Sequence, residues 1–301
     1  MKTMATRLGP AVLIAAWGCS SAPVAPPTEP TPPAATTPGA AAAPTPEPPQ
    51  PAPTCAPADF AACKAKCDEG DAGMCNAVGV LYRDGEGVEA SDVEAVALFE
   101  QACNGKVAEG CVNLGGMHAE ARGVGKDYMA MERLYTQACD ADHPVGCERL
   151  GELCRDGKGM AKDQPRAAKL FRKSCDLGEP RGCTKLGSLH DYGHGVEENQ
   201  AQAAKLYRQA CDADEPRACC FLGTALLRGR GIKQDYAEAK QVLEKSCAAE
   251  DKAACSNLGR MYRDGLGMDK DPAKAIELFQ TGCDRGHKKA CEWLQEAQQG
   301  S

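Results

Sequence analysis

Residues 67–103 read CDEGDAGMCNAVGVLYRDGEGVEASDVEAVALFEQAC and form the first unit of a pattern that continues to the end of the chain. A cysteine opens every unit, and these cysteines recur at intervals of 36 residues. A second cysteine follows each of them eight residues later. The pairs are Cys67 and Cys75, Cys103 and Cys111, Cys139 and Cys147, Cys175 and Cys183, Cys211 and Cys219, Cys247 and Cys255, and Cys283 and Cys291. Such a period indicates an array of small, stacked helical units rather than a single globule.

Every unit holds two helical patterns. The first begins near the second cysteine, as in residues 75–82, CNAVGVLY, where small and apolar residues recur at helical spacing. The fourth residue after that cysteine is glycine in six successive units. Glycine costs a helix about 1 kcal/mol, so we expect a neighbouring helix to approach closely there. A Gly-x-Gly turn follows in most units, and a favoured N-cap residue then starts the second helix. These caps are Ser91, Asp127, Asp163, Asn199, Asp235 and Asp271.

The cysteine spacing predicts a disulfide at each corner between units. Cys103 falls in the last turn of a second helix, and Cys111 falls in the first turn of the helix that follows. Closing so small a ring contributes roughly 2–3 kcal/mol on loop-entropy arithmetic. A thin stack with 5% aromatic residues needs such clamps, because each unit touches only its neighbours.

Both ends of the array are expected to be capped. Residues 58–68 read as a lone second helix anchored by Phe60. Cys55 and Cys63 repeat the eight-residue spacing and predict one more disulfide, with two free thiols as the alternative. The last helix is expected over residues 288–298, with Trp293 covering the final apolar face.

Two cysteines remain in the array. Cys154 takes a core position that holds tyrosine in other units, so we interpret it as a small buried hydrophobic residue. Cys220 follows a paired cysteine and is expected to face a groove, where a redox role is the less favoured alternative.

The motifs of this array resemble a known repeat. The Leu-Gly-x-x-Tyr helix, the Gly-x-Gly-Val turn and the Ala-x-x-Leu-Phe-x-x-Ala-Cys helix are similar to the Sel1-like repeat, a relative of the tetratricopeptide repeat. The paired cysteines narrow the resemblance to the bacterial cysteine-rich Sel1-like type. It implies an all-α fold, an α/α superhelical solenoid with disulfide-clamped helix pairs over residues 55–301. It also implies a binding scaffold, although some bacterial members bind penicillin and are catalogued as slow β-lactamases.

The first 18 residues read as an export signal. Lys2 and Arg7 supply positive charge, and a short apolar stretch follows that is too short to span a bilayer. The stretch ends at Cys19 in a context that resembles the bacterial lipobox and predicts lipidation of that cysteine. Ser20 behind it favours sorting to the outer membrane. The alternative is ordinary cleavage a few residues further on.

Residues 19–54 have a different composition, rich in proline, alanine and threonine and nearly free of charge. Such a segment buries too little apolar surface to fold, so we predict a disordered linker of polyproline II character. It would reach at most ~110 Å at ~3.1 Å per residue. Its expected role is to hold the repeat domain away from the membrane; a segment without a role is the alternative.

The composition indicates the cellular compartment of the protein and argues against some classes of partner. Nineteen cysteines favour an oxidising compartment over the cytosol. The formal net charge of −7 argues against a nucleic-acid partner. No apolar run reaches the ~18 residues of a membrane-spanning helix, so contact with a membrane is expected only through the N-terminal lipid.

We find no catalytic or metal-binding pattern. The Ser-x-x-Lys spacing of serine β-lactamases does not occur at any serine, and neither a nucleophile elbow nor a phosphate-binding loop is present. His190 and His194 are four residues apart, but they flank a glycine turn and lack a third strong ligand, so no metal site is predicted. No cofactor is expected.

The first helices offer a candidate binding face. Positions one, five and eight after the second cysteine share the side turned away from the core, and they vary between units. The residues chosen as groove candidates are Arg83, Glu148, Glu152, Arg155, Thr184, Ser188, Thr224, Arg260 and Arg263. An ordinary solvated face is the alternative to a binding site.

We therefore interpret the chain as an exported, lipid-anchored scaffold that binds a protein, a peptide or a peptidoglycan-derived ligand. The first alternative is a weak hydrolase acting on β-lactams or peptidoglycan peptides. The second is a redox or assembly chaperone, which requires a reactive thiol.

Overall fold

The computed structural model describes residues 54–299. In this range the chain forms one short 3-10 helix, Pro57–Asp59, and fourteen α-helices, with no strand. The α-helices are α1 Phe60–Asp68, α2 Ala72–Asp84, α3 Asp92–Asn104, α4 Ala108–Glu120, α5 Tyr128–Asp140, α6 Pro144–Asp156, α7 Gln164–Asp176, α8 Pro180–Tyr192, α9 Gln200–Asp212, α10 Pro216–Arg228, α11 Tyr236–Ala248, α12 Lys252–Asp264, α13 Pro272–Asp284 and α14 Lys288–Gln299. The export signal, Cys19 and the linker up to residue 53 lie outside the described residues.

Consecutive helices pack as antiparallel pairs, and each pair packs on the next. The even-numbered helices from α2 are the first helices of the units, and the odd-numbered helices from α3 are the second helices. The prediction of an all-α solenoid is confirmed. The lone second helix at the N-terminal end is α1, and α14 closes the other end with Trp293 buried against Phe279.

Side-chain caps determine where the helices start. Each predicted cap of a second helix accepts a hydrogen bond from a backbone N–H of the first turn, as Asp163 does from Arg166 at 2.9 Å. The first helices begin three residues earlier than the cysteine pattern predicts, because a second set of caps precedes them. Asp71, His143, Glu179, Glu215 and Asp251 fill this role.

The repeated glycine of the first helices lies against the second helix of the same unit. An added Cβ at Gly151 would meet the Phe171 ring at 2.6 Å, and one at Gly115 would meet the Tyr135 ring at 2.4 Å. The equivalent position of α11 is Leu243, which closes on Gly223 in the same way. The expected close approach is confirmed, and its physical cause is a large side chain that fills the space left by the missing Cβ.

Eight disulfides are present within the described residues, and they are the eight predicted pairs. Seven of them join the end of one helix to the start of the next, with Cα atoms 4.5 to 4.7 Å apart. The pair Cys55 and Cys63 also forms, so the alternative of two free thiols there is wrong. Each of these corners between helices is therefore covalently cross-linked.

The two leftover cysteines are both buried. Cys154 is the free cysteine among the described residues, and it packs with its sulfur 3.5 Å from that of Met160. Cys220 is fully buried, at the same repeat position as the groove candidates Glu148 and Thr184. Its position falls on the inner side of α10, where the next first helix, α12, covers it. Within residues 54–299 no helix combines the length and the apolar character needed to cross a membrane.

Candidate ligand-binding groove

The first helices approach one another along the array. From α4 onward each first helix contacts the first helix of the next unit, and no comparable contact joins the second helices. The array therefore curves around its first helices, whose outward positions line the inner face. The nine predicted groove residues all lie on these helices.

A ladder of polar contacts links successive first helices. In three units the second residue after the second cysteine of the pair contacts the first helix of the preceding unit. Asn113 donates to Asn76 Oδ1 at 2.8 Å, and Asn257 donates to Thr224 Oγ1 at 3.3 Å. These contacts occupy polar groups that the sequence pattern places in an open groove.

The strongest rung of this ladder holds the two predicted carboxylates. The ammonium group of Lys185 contacts Glu148 and lies 2.5 Å from a Glu152 oxygen. Arg149 lies 3.3 Å from Glu148 and 3.1 Å from Glu152. The Glu148 side chain is only 1% exposed. Both carboxylates are therefore neutralised by cations of the protein itself.

Three further candidates serve packing. The Thr184 hydroxyl lies 3.0 Å from a Glu215 oxygen, and the Thr224 hydroxyl donates to the Cys220 carbonyl at 2.9 Å. Arg260 is 4% exposed, and its guanidinium lies 4.8 Å from the centre of the Trp293 ring. Burial, together with the nearby Arg263, lowers the pKa of Arg260 to about 10. The basic end expected at Arg260 is thus an internal stacking contact.

The half-buried arginines at position eight are tied to the acidic residue that follows them. Arg83 pairs with Asp84, Arg155 with Asp156 and Arg263 with Asp264, each at 2.7 Å. The hydrogen bond from Arg83 lowers the pKa of Asp84. These pairs lie at the C-terminal ends of the first helices, where a cation is favoured by the helix dipole.

One cavity collects five of the predicted groove residues. It has a volume of 390 Å³, lies between α6, α8 and α10, and is called here the α6–α10 cavity. The predicted residues in its lining are Glu148, Glu152, Arg155, Thr184 and Ser188. The size falls within the usual range of ligand pockets.

The same cavity contains functional candidates that the sequence reasoning missed. Arg181 and Arg217 lie in its lining, and Phe221 and Leu189 supply apolar surface. The two arginines stand two residues before a paired cysteine, in the first turns of α8 and α10. A signal was available, because this position holds arginine in just these two successive units.

A second cavity of 490 Å³ lies between α4 and α6. It opens because unit two carries small residues, Val112 and Gly116, opposite Arg149. Arg149 has no rung partner on α4 and turns instead to the carboxylates of its own helix. Arg83 and Glu152 line this cavity; Thr224, Arg260 and Arg263 line neither of the two cavities.

The histidines take part in packing and capping. The ring of His190 is 3.2 Å from the Glu197 carbonyl through Nδ1, in the glycine turn. In the described part of the chain, no three His, Cys, Asp or Glu residues are grouped as metal ligands.

This geometry defines a class of protein: a rigid α/α repeat scaffold whose corners are cross-linked by disulfides. The Sel1 repeat family model matches six consecutive stretches of this chain, so the chain belongs to the Sel1 repeat family. The stretches are residues 72–106, 108–143, 144–179, 180–215, 216–251 and 252–287. Proteins built from these repeats are generally protein-interaction modules.

Solved structures with the same fold include two Sel1-type proteins. A protective antigen of uropathogenic Escherichia coli is 25% identical, with a TM-score of 0.68 over 77% of this chain and 50% of its own. This chain therefore matches only half the length of that antigen. A Sel1 repeat protein from Oxalobacter formigenes is 24% identical, with a TM-score of 0.67 over 71% of this chain and 86% of its own. Comparison with curated proteins finds no match.

Proposed function

We propose that the protein is an exported scaffold that binds a protein, a peptide or a peptidoglycan-derived ligand on its inner face. The observation that supports this most directly is the α6–α10 cavity, where charged, hydroxyl and aromatic side chains of three successive units converge. Most of the lining is charged or polar, and Leu189 and Phe221 add apolar surface, so the cavity suits a polar ligand that carries an apolar group. The disulfides indicate an oxidising compartment, which agrees with export.

The mechanism of binding is recognition by a preorganised surface. The cavity is built from helices, and disulfides fix the corners that precede α6, α8 and α10. A ligand that enters does not have to order loops, so less conformational entropy is lost on binding. Affinity then depends on the side chains that line the cavity.

Site-specific photo-crosslinking in the producing cells tests this function. Benzoylphenylalanine at Ser188 would lie in the cavity, whereas the same group at Lys169 would lie on an exposed position of the second helix α7. We expect a crosslinked partner from Ser188 and none from Lys169. Equal crosslinking at both positions, or none at Ser188, would contradict the proposal.

We propose further that the scaffold is tethered to the membrane by a lipid on Cys19 and held away from it by the linker. Labelling with an alkyne fatty acid should modify the wild-type protein and leave Cys19→Ala unlabelled and soluble. Equal labelling of the two proteins would refute the lipid anchor.

A further inference from the structure

The α6–α10 cavity has an unusual charge for a protein of net charge −7. Its lining carries five cationic side chains and three carboxylates, which leaves two positive charges in excess. The cations are Arg149, Arg155, Arg181, Lys185 and Arg217, and the carboxylates are Glu148, Glu152 and Glu215. The cavity is therefore locally basic, although the protein as a whole is acidic.

All three carboxylates are already engaged. Glu148 and Glu152 share Lys185 and Arg149, as described above. Glu215 caps α10 by accepting from the backbone N–H of Ala218 and also contacts the Thr184 hydroxyl. These three acidic groups are thus all engaged in contacts within the protein.

Two of the cations are not engaged with acidic groups. Within residues 54–299, no carboxylate oxygen lies within the 4.0 Å of an ion pair from the guanidinium of Arg181 or of Arg217. Both residues are exposed, and both lie in a helix first turn, where the helix dipole adds positive potential. The Arg217 guanidinium lies 5.8 Å from the centre of the Phe221 ring, so an aromatic surface borders the basic one.

The neighbouring cavity does not share this feature. Its cations Arg83, Arg149 and Lys158 are each paired with an aspartate or glutamate, at distances of 2.7 to 3.1 Å. Lys126 lies over the Tyr128 ring at 5.4 Å. Of the two cavities, only the α6–α10 cavity is therefore lined by guanidinium groups without an acidic partner.

We propose that this cavity selects an acidic peptide, with Arg181 and Arg217 each binding a carboxylate and Phe221 contacting an adjacent apolar side chain. The proposal rests on the proposed function and names the chemistry of its ligand. A guanidinium presents two parallel N–H donors to a carboxylate, and such charge-assisted pairs are among the stronger hydrogen bonds. The two arginines occupy equivalent positions of successive units, so they contact successive stretches of one extended chain.

Calorimetry on the oxidised full-length protein tests this selectivity. The probes are acetyl-Leu-Glu-Leu-Glu-amide and its glutamine counterpart, acetyl-Leu-Gln-Leu-Gln-amide. We expect the acidic peptide to bind about tenfold or more tightly than the amide, and to weaken as salt is raised. Equal affinities of the two peptides, or no binding of the acidic one, would overturn the proposal.

Variants test whether Arg181 and Arg217 cause the preference for the acidic peptide. Arg181→Gln with Arg217→Gln should weaken the acidic peptide by about tenfold or more. The matched control is Arg133→Gln with Arg172→Gln, which removes the same charge from exposed positions of α5 and α7 outside the cavity. Equal losses in the two double variants would assign the effect to overall charge and defeat the proposal. Arg181→Lys with Arg217→Lys keeps the charge but not the planar fork, and should retain part of the affinity.

Failure of this inference can be told apart from failure of the proposed function. A partner that crosslinks at Ser188 equally well in wild type and in the Arg181→Gln, Arg217→Gln variant leaves the scaffold function standing and removes the acidic specificity. Absence of any partner at Ser188 removes both.

Discussion

At the residue scale, single glycines and caps set the packing distance and the starts of the helices. Gly151 admits the Phe171 ring against the backbone of α6. Gly116 lies one position further along the equivalent helix α4, yet a Cβ there would meet nothing within 4 Å. Close packing therefore requires glycine at the first of these repeat positions and does not require it at the second.

The two glycines give a matched prediction. Gly151→Ala gains helix propensity but forces the ring away, and overpacking of this kind costs about 1–3 kcal/mol, so a net loss of stability is expected. Gly116→Ala meets no neighbour and should raise stability by about 0.5–1 kcal/mol. Urea unfolding followed by circular dichroism measures both. A stabilising Gly151→Ala would show that close approach is not what holds glycine there.

His143 gives a pH-dependent prediction. Its Nδ1 accepts from the Gly146 N–H at 3.4 Å as the cap of α6, and burial lowers its pKa. Because the folded state holds the ring neutral more strongly than the unfolded state does, stability is lost as pH falls below about 6.5. His143→Asn caps without titrating, so its unfolding free energy should fall less between pH 8 and pH 5. Identical falls in the two proteins would contradict this assignment.

At the scale of helices, the first helices are joined by side chains and the corners by sulfur. Lys173 and Lys245 also donate to the carbonyls of Cys139 and Cys211 in the preceding unit, at 2.7 and 2.8 Å. These lysines cap the C-terminal end of a neighbouring helix, where cations are favoured. The junctions at Cys139 and Cys211 are therefore secured twice, once covalently and once by a charged hydrogen bond.

The contributions of Lys185 and Glu148 to stability should be strongly coupled. Lys185→Met leaves Glu148 buried with Arg149 alone, and we expect a loss of about 2–4 kcal/mol, near the range for breaking a buried pair. The double variant Glu148→Gln with Lys185→Met should recover a large part of that loss. A double-mutant cycle in urea measures the coupling. Additive effects of the two substitutions would mean that the rung contributes nothing as a pair.

Disulfides in the middle and at the end of the array should affect unfolding differently. Replacing Cys139 and Cys147 by serine should cost about 2–3 kcal/mol and split unfolding into two transitions, because it loosens a corner in the middle of the array. Replacing Cys55 and Cys63 affects only the terminal α1 and should leave one main transition. Guanidinium unfolding with two spectroscopic probes distinguishes the cases. A single shared transition in both variants would argue against stepwise coupling.

At the scale of the whole molecule, the sequence predicts the architecture well and the inner face poorly. The period, the cysteine pairs and the caps each act within a few residues, so a linear pattern reveals them. The contacts of Glu148, Thr224 and Arg260 join residues more than 30 positions apart. Which polar residue meets which partner depends on the stacking of units, and a single helix pattern cannot show it. The recurrence of arginine at positions 181 and 217 is visible in the sequence, but only the stacked structure shows that these positions line a cavity.

Because the units form a linear array, the structure predicts which helices a destabilising substitution will affect. Trp293→Ala removes the ring that covers Phe279 and Arg260, so the last unit should fray. Hydrogen exchange should accelerate in α12 to α14 and stay unchanged in α2 to α5, because each unit contacts only its neighbours. A uniform loss of protection along the chain would show instead that the array unfolds as one cooperative block.

Each of the seven corner cross-links joins cysteines only eight positions apart, so a corner pair is encoded within one short stretch of the gene. Excising or duplicating one 36-residue period from the corner-linked units leaves every remaining thiol of those corners with its own mate. The number of units in this scaffold can thus change by recombination without separating the two cysteines of a corner.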